Sequence, residues 1–588
     1  MKKETKTEKV KGNTHENKIN LYICIHNQIP KHIMKKYSGH IVDIKNEKIF
    51  DGIITIEENK IVSIEPTSFY ADNGCNDSLP YILPGFIDAH VHIESSMLLP
   101  ENFAKAAVRH GTIGIVTDPH EIANVLGLDG VRFMIENGKK SNFYFCFGAP
   151  SCVPSTTFET AGATLGPDEV RTLLEDKDIG YLSEFMFAAG VVMGLPDVMA
   201  KLQAAKDNGK PIDGHSPGFT GEDLKKYIEA GVSTDHECTT IEEGRERLKL
   251  GMKILIRNGS AAQDFEALSP LLAESKDMLM FCSDDKHPDE LLDGHINLIV
   301  KKALKKGYPF WNVLRAACVT PVEHYHMDCG QLQEGDNADF ILADNLSDLN
   351  ILKTVIRGEE YLSSKDSIEL KAYYGGNIKV SQNTDDKAYI NKFNAQPITE
   401  DDIKLDIATD KVRVIVAKGG TLLTDELIIS KDEIGKDNDI LKLVVYNRYT
   451  PAKPQVAYIK GFGLEVGALC STVAHDSHNI VAVGVDDASI VKLINHIIGL
   501  KGGIAVYDGK SIFDLPLPVA GLISPLSPEE VSYRFDKLLA ISFRIGCQFE
   551  SPFMTMSFMA LPVIPKLKLT DMGLFDGTSF GFVPVGVE

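Results

Sequence analysis

The sequence predicts an α/β protein centred on a (β/α)8 TIM-type barrel, with a composite β-sandwich domain around it and a C-terminal α/β-type domain after it. Two patterns predict this. Between about residues 84 and 308, eight short apolar, β-rich runs alternate with segments of helical spacing, the pattern of parallel strands joined by crossover helices. On both sides of that span the chain switches to apolar–polar alternation broken by Gly and Asn turns, the pattern of paired strands.

The eight runs are "YILPGFIDAHVHIE", "GTIGIVTDPH", "FYFCFGAPSCV", "GYLSEFMFAAGVV", "KPIDGHSPG", "AGVSTDHECT", "MKILIRNGSA" and "DMLMFCSDDKHP". Between them, "EIANVLGLDGVRFMIENGKK", "GPDEVRTLLEDK", "LPDVMAKLQAAKDNGK" and "TGEDLKKYIEAG" carry charge and helical periodicity. The stretches 39–66 and 330–361 supply the β-patterned flanks. The chain accordingly divides into a polar extension at 1–36, a composite sandwich from 37–83 and 326–380, a barrel at 84–325, a linker at 381–404 and a last domain at 405–588. In that domain "KVRVIVAKGG", "LKLVVYN" and "HNIVAVGV" read as strands, and "DASIVKLINHIIGLKG" and "SPEEVSYRFDKLLA" as helices.

Composition narrows the partners. Among 588 residues, 61 basic and 82 acidic side chains leave a net charge of −21, which repels phosphate backbones and anionic membranes and argues against nucleic acid or a lipid surface. No apolar run reaches the ~18 residues of a bilayer span, and the Lys-rich start has no secretory apolar core. Ten cysteines without a CxxC pair read as reduced thiols, so a cytoplasmic location is expected.

In a barrel of this kind chemistry sits at the C-terminal ends of strands. The first run ends in His90 and His92, the fourth holds Glu184, the fifth His215, the sixth His236 between Asp235 and Glu237, and the eighth Asp284 and Asp285. Residues two apart on a strand face the same side, so the imidazoles of His-Val-His converge on one point. A lone HxH is weak evidence for a metal; several strand ends carrying such groups together are strong. Imidazole and carboxylate suit zinc, manganese or ferrous iron, and four histidines with two carboxylates exceed the needs of one tetrahedral ion, which favours two ions bridged by a carboxylate. His110, beside a Gly at a helix end, reads as a solvated cap. His120 and Glu121, after the second strand, read equally as a substrate contact or a helix N-terminal pair. In "HDSHN", His475, Asp476 and His478 read as turn polar groups with a buried imidazole, as a loop closing over the barrel mouth, or as a second metal site.

The stretches "LPGFIDAHVHIESSML", "VTDPHEIANVLG", "GHSPGFTG", "STDHE", "CSDDKHP" and "VAHDSHNIVAVG" closely resemble the bacterial-type adenine deaminases of the amidohydrolase superfamily, from about residue 38 to the C-terminus. The resemblance implies a barrel with a composite β-sandwich and a C-terminal domain, and hydrolysis of adenine to hypoxanthine and ammonia. It implies a metal set of His90, His92, Glu184, His215, His236 and Asp284, holding two divalent transition ions, manganese or iron above zinc. One departure stands out: the family commonly follows its strand-four glutamate with Asn and Pro before Gly-Val, whereas this chain reads "EFMFAAGVV", with Phe187 and Ala189 there.

Adenine C6 carries its amino group on an aromatic ring, which neutral water is too weak to displace; a metal lowers the pKa of bound water from about 15.7 towards ~7. The expected reaction is attack of the resulting hydroxide on C6. Asp284 is the expected proton shuttle, with Glu184 and His236 beside it as catalytic groups. His120, Glu121, Asp285, His475 and His478 are the candidate substrate contacts, and His120, Glu121, His236 and Asp285 the candidates for serving purine N1. A role in purine salvage and a homo-oligomer, taken as a dimer, complete the expectation. The rival readings are a cyclic-amide hydrolase of the dihydropyrimidinase or dihydroorotase kind, which generally needs a carboxylated lysine that strand four lacks, and a non-catalytic scaffold, which would lack ligands that are all present.

Overall fold

The computed structural model describes residues 34–67, 79–362 and 390–588. Most of the 1–36 extension, the first part of the 381–404 stretch and the end of the 326–380 segment lie outside the described residues.

The barrel strands follow the eight runs: Phe86–His92, Thr112–Thr117, Tyr144–Ala149, Ile179–Phe185, Ile212–Gly214, Thr234–Asp235, Lys253–Arg257, and a last strand in two pieces, Leu279–Cys282 and Asp284–Asp285. All pairings among them are parallel. Two sheets result, and they meet at both edges. Asp284 pairs with Val91 of the first strand on one side, and Ser233 N–H donates to Ile212 O at 2.9 Å on the other. The first two strands are buried at every position, because helices cover their outer face and side chains fill the interior. The result is a TIM-like α/β fold.

The crossover helices stop where their sequences turn. "EIANVLGLDGVRFMIENGKK" forms two helices, His120–Leu126 and Leu128–Gly138, because Gly127 between them adopts a φ of 62°, a conformation costly for other residues. His110 corrects an expectation. It is 3 % exposed and lies against the Leu291–His295 turn, not in solvent, with desolvation pushing its pKa down to about 3. The glycine after it does cap the short helix, but that turn packs under strands from the flanking sheet, with Val108 O accepting from Thr354 Oγ1 at 2.7 Å.

The two β-patterned flanks join in one seven-stranded sheet. Its order is Glu359–Leu362, Ile351–Ile356, Phe340–Ala343, Tyr81–Leu83, Met34–Asp43, Lys48–Glu57, Lys60–Pro66. Tyr81–Leu83 is the join, parallel to Met34–Asp43 on one side and antiparallel to Phe340–Ala343, from after the barrel, on the other.

After residue 390 the chain builds a mixed sheet around Lys411–Val416, Ile440–Tyr446, Gln455–Lys460 and Ile480–Gly484, with helices Asp487–Leu500 and Pro528–Arg544. Asp486 caps the first helix by accepting from Ser489 N–H at 2.7 Å, and Ser527 caps the second. The described part of the 381–404 stretch packs here: Ile403 is fully buried and Ile398 exchanges hydrogen bonds with Asn495. This region docks on the barrel mouth. Ser524 N–H donates to Met97 O at 2.9 Å, Asn102 Nδ2 to Leu526 O at 2.9 Å, and Thr160 N–H to Asp571 Oδ1 at 2.8 Å.

Candidate active site

The alternation of the first strand aims both imidazoles of His-Val-His inward, with their Nε2 atoms 3.2 Å apart. His92 Nδ1 donates to the Asp118 carbonyl at 3.1 Å, which leaves Nε2 with its lone pair free for a ligand. Asp284 Oδ1 lies 3.5 Å from His90 Nε2 and 3.2 Å from His92 Nε2. Its backbone φ of 55° is left-handed, which a short polar residue tolerates better than a branched one. The preceding residue holds this turn: Ser283 gives its N–H to Asp88 Oδ1 at 3.0 Å and its hydroxyl to Asp88 Oδ2, and His295 Nε2 adds a third bond at 2.8 Å.

Glu184 stands between two groups of imidazoles. Its Oε1 faces His92 Nε2 at 3.4 Å and His120 Nδ1 at 3.5 Å; its Oε2 faces His215 Nδ1 at 2.7 Å and His236 Nε2 at 3.2 Å. His90 and His236 stack at 4.2 Å, closing the ring of these side chains. Glu237 adds an oxygen 3.3 Å from His236 Nε2. Arg257, from the end of the seventh strand, reaches Glu237 Oε1 at 2.5 Å and Asp284 Oδ2 at 3.0 Å, so each carboxylate is turned by the same guanidinium.

A second layer of groups lies at the mouth. His120 begins the helix after strand two; its Nδ1 is 3.1 Å from Asp118 Oδ2 and its Nε2 is 3.5 Å from Glu121 Oε1. Glu121 in turn receives His475 Nδ1 at 2.5 Å on Oε1 and His478 Nε2 on Oε2. "HDSHN" therefore lies against the barrel mouth, over three hundred residues away in the chain. Asp285 is buried and accepts from Ser95 Oγ at 2.5 Å, at the edge of the same region.

Burial alone would raise the pKa of Glu184 and Asp284, yet the surrounding imidazoles, with Arg257 for Asp284, hold both well below the carboxylate range. Burial opposes charge on His92 and His236, but Asp284 for the first and Glu184 with Glu237 for the second keep them well above the imidazole range. His90 goes the other way: desolvation and neighbouring His236 lower it. Positive charge thus gathers around anions that would otherwise be bare, the charge pattern that a cation at the same point would supply. The geometry fits too. Nitrogen–nitrogen and nitrogen–oxygen spacings of 3.2 and 3.5 Å match the edges of coordination shells built on bonds of about 2.0–2.2 Å, and buried triads sharing residues recur around Glu184, His90 with His92 and Asp284, and His236 with His90.

Sequence reasoning named His90, His92, Glu184, His215, His236 and Asp284, and the fold brings all of these to one end of the barrel. It noted Glu237 beside His236 without giving it a role, and it missed Arg257. Glu237 follows His236 in a segment where the strand has ended at Asp235, so period-two alternation no longer decides which side a residue faces. Arg257 is the last residue of "KILIR", and a charged side chain closing an apolar run was the signal for it.

An amidohydrolase family model matches residues 81–361, and a model described as the adenine deaminase C-terminal domain matches residues 421–581. The chain is 47% identical over 555 residues to an adenine deaminase of Salinibacter ruber, covering 93% of this chain and 98% of that one. It is 48% identical over 570 residues to one of Methanosarcina mazei, covering 94% and 99%. With one from a Sulfurovum species it shares 49% identity over 552 residues, covering 93% and 98%. Matches of this extent run through the barrel and the last domain together, and the chain belongs to the adenine deaminase family of amidohydrolases.

Proposed function

We propose that the protein hydrolyses adenine to hypoxanthine and ammonia, at a site whose residues would hold two divalent ions with Glu184 shared between them. The reading is supported by Glu184 itself, whose two oxygens face separate imidazole groups at 3.4 and 3.2 Å. His90, His92 and Asp284 would hold one ion, and His215 and His236, with Glu237 in reach, the other. Manganese or ferrous iron suits this nitrogen and oxygen set, with zinc also compatible. When bound, such ions lower the pKa of water from about 15.7 towards ~7 and so provide a nucleophile at neutral pH.

The residues do the rest. Asp284 Oδ1 faces the centre and takes the proton of the attacking water, while Arg257 occupies Oδ2. Asp284 then passes that proton on to the departing amino nitrogen. His120, braced by Asp118 and Glu121, faces the same space and is placed to serve ring N1. His475 and His478 fix Glu121 and help exclude water from the mouth.

The composite β-sandwich and the C-terminal domain of the expected architecture belong to this proposal, as do a dimeric assembly, a cytoplasmic location and a role in purine salvage. Among the described residues no helix is long and apolar enough to cross a membrane. The test is the absorbance change on converting adenine to hypoxanthine by metal-loaded protein, compared with dihydropyrimidines. Asp284→Asn should lower kcat by at least ~10²-fold with most of the metal retained. Turnover of dihydropyrimidines and none of adenine would overturn the reading.

A further inference from the structure

The last domain brings one more acceptor to the barrel mouth. Asp476 sits between His475 and His478, is 5% exposed, and its Oδ2 has no hydrogen-bond partner among the described residues. One of its carboxylate oxygens, a Glu121 oxygen and a His120 nitrogen all lie within 4.8 Å of one another. Glu121 already serves an imidazole with each oxygen. Ser155 lies against the Asp476 carboxylate, and the oxygen left open beside Glu121 and His120 is its Oδ2.

Its neighbours in the chain are held on both sides. His475 N–H donates to Ser557 Oγ at 3.1 Å and its ring stacks on Phe558 at 4.6 Å; His478 N–H donates to Ala474 O at 2.7 Å, and Tyr449 gives its hydroxyl to Ser477 O at 2.5 Å. A buried carboxylate oxygen without a donor is unfavourable until a ligand supplies one. Adenine has two kinds of N–H: the amino group, which must lie at the reacting centre, and one N–H on the imidazole ring, at the other end of the purine. Nucleosides carry a sugar where that ring N–H would be.

We propose that Asp476 accepts the imidazole-ring N–H of the purine and is the residue by which this site selects a free base over a 9-substituted purine. The proposal rests on the adenine reading above. It gives the last domain a direct contact with substrate, whereas His475 and His478 act through Glu121.

The experiment compares metal-loaded, full-length wild type, Asp476→Asn and Asp476→Ala, with adenine and 9-methyladenine as substrates and metal content measured for each. Asp476→Ala should lower kcat/KM for adenine by about 10- to 100-fold, chiefly through KM, while leaving that for 9-methyladenine and the metal content unchanged. Asn, which keeps an acceptor oxygen, should fall between. An unchanged ratio of the two substrates overturns the proposal, and an unchanged ratio with one fewer ion per chain makes Asp476 a cation ligand instead. Should the variants not fold, inhibition of wild type by hypoxanthine, 7-methylhypoxanthine and 9-methylhypoxanthine decides it. The methylated compounds lack the ring N–H and should bind at least ~10-fold more weakly; equal inhibition overturns the assignment. Failure of the adenine reading itself shows separately, as a wild type that does not deaminate adenine.

Discussion

Ser283 gives Asp88 both its amide hydrogen, at 3.0 Å, and its hydroxyl, across the seam where the last barrel strand meets the first. The same carboxylate accepts His90 N–H at 3.3 Å. One side chain thus ties the strand bearing His90 and His92 to the strand bearing Asp284, and sets the distance between the side chains contributed by each.

Asp88→Asn should therefore act on the reaction without touching substrate. An amide cannot accept at both oxygens, so one of the Ser283 bonds or the His295 bond is lost and Asp284 shifts. Misplacement of about 1 Å can cost ~10²-fold in rate, and a fall in kcat of ten-fold or more is expected with KM little changed. Asp88→Glu, which keeps both acceptors, should recover less than wild type but more than Asn. A kcat for Asp88→Asn within twofold of wild type would contradict the role.

Glu184→Gln tests the bridge. With one oxygen replaced by an amide nitrogen, metal content measured by elemental analysis should fall from two ions per chain towards one, and activity should not depend on bicarbonate. Two retained ions with a bicarbonate requirement would point instead to a carboxylated lysine.

How far the site could be read from residues alone depended on the strand. At the first strand the rule of alternation reaches to His92, because the strand itself does, and the shared inward face of His90 and His92 follows from it. Strand eight breaks at Ser283, and Asp284 then turns through a left-handed backbone, so its inward aim came from its place at a strand end and not from periodicity. The barrel and its two flanks were legible in the change from helical to two-residue periods. That Tyr81–Leu83 unites the flanks in one sheet was not, since pairing across the whole barrel leaves no local trace. Likewise nothing near Glu121 announces that its partners are His475 and His478. His110 failed for a related reason: the sequence shows a helix end but not what packs beneath it.

His478→Ala should leave barrel metal content intact and disturb the mouth. Glu121 Oε2 would lose its partner while Oε1 kept His475. A buried charged hydrogen bond of this sort is worth ~1.5–3 kcal/mol, so kcat/KM for adenine should fall by about ten-fold or more. Loss of folding in thermal denaturation, with no kinetic change in the folded fraction, would mark the histidine as structural only.

Lys568 gives a pH test. It is fully buried beneath the segment that stacks on His475, gives its ammonium to Leu422 O at 2.8 Å and Phe558 O at 2.9 Å, and is pushed by desolvation from 10.5 to about 7. Between those values the unfolded chain holds a proton that the folded chain has lost, so stability rises with pH across the window from about 7 to 10.5, by up to ~1.4 kcal/mol per pH unit. Lys568→Met should flatten this rise. Melting temperatures of both proteins from pH 7 upward measure it, and parallel curves would contradict the assignment.

Synthesis runs from the amino end, and domains fold broadly in that order. The barrel, with His120 and Glu121 in place, is complete in the chain long before His475 and His478 leave the ribosome. Through that interval Glu121 has neither imidazole. The two histidines are thus the last pieces of the mouth to be made, and because one apolar core runs from Ile87 in the barrel to Leu574 near the end of the chain, the mouth and the last region complete their packing together.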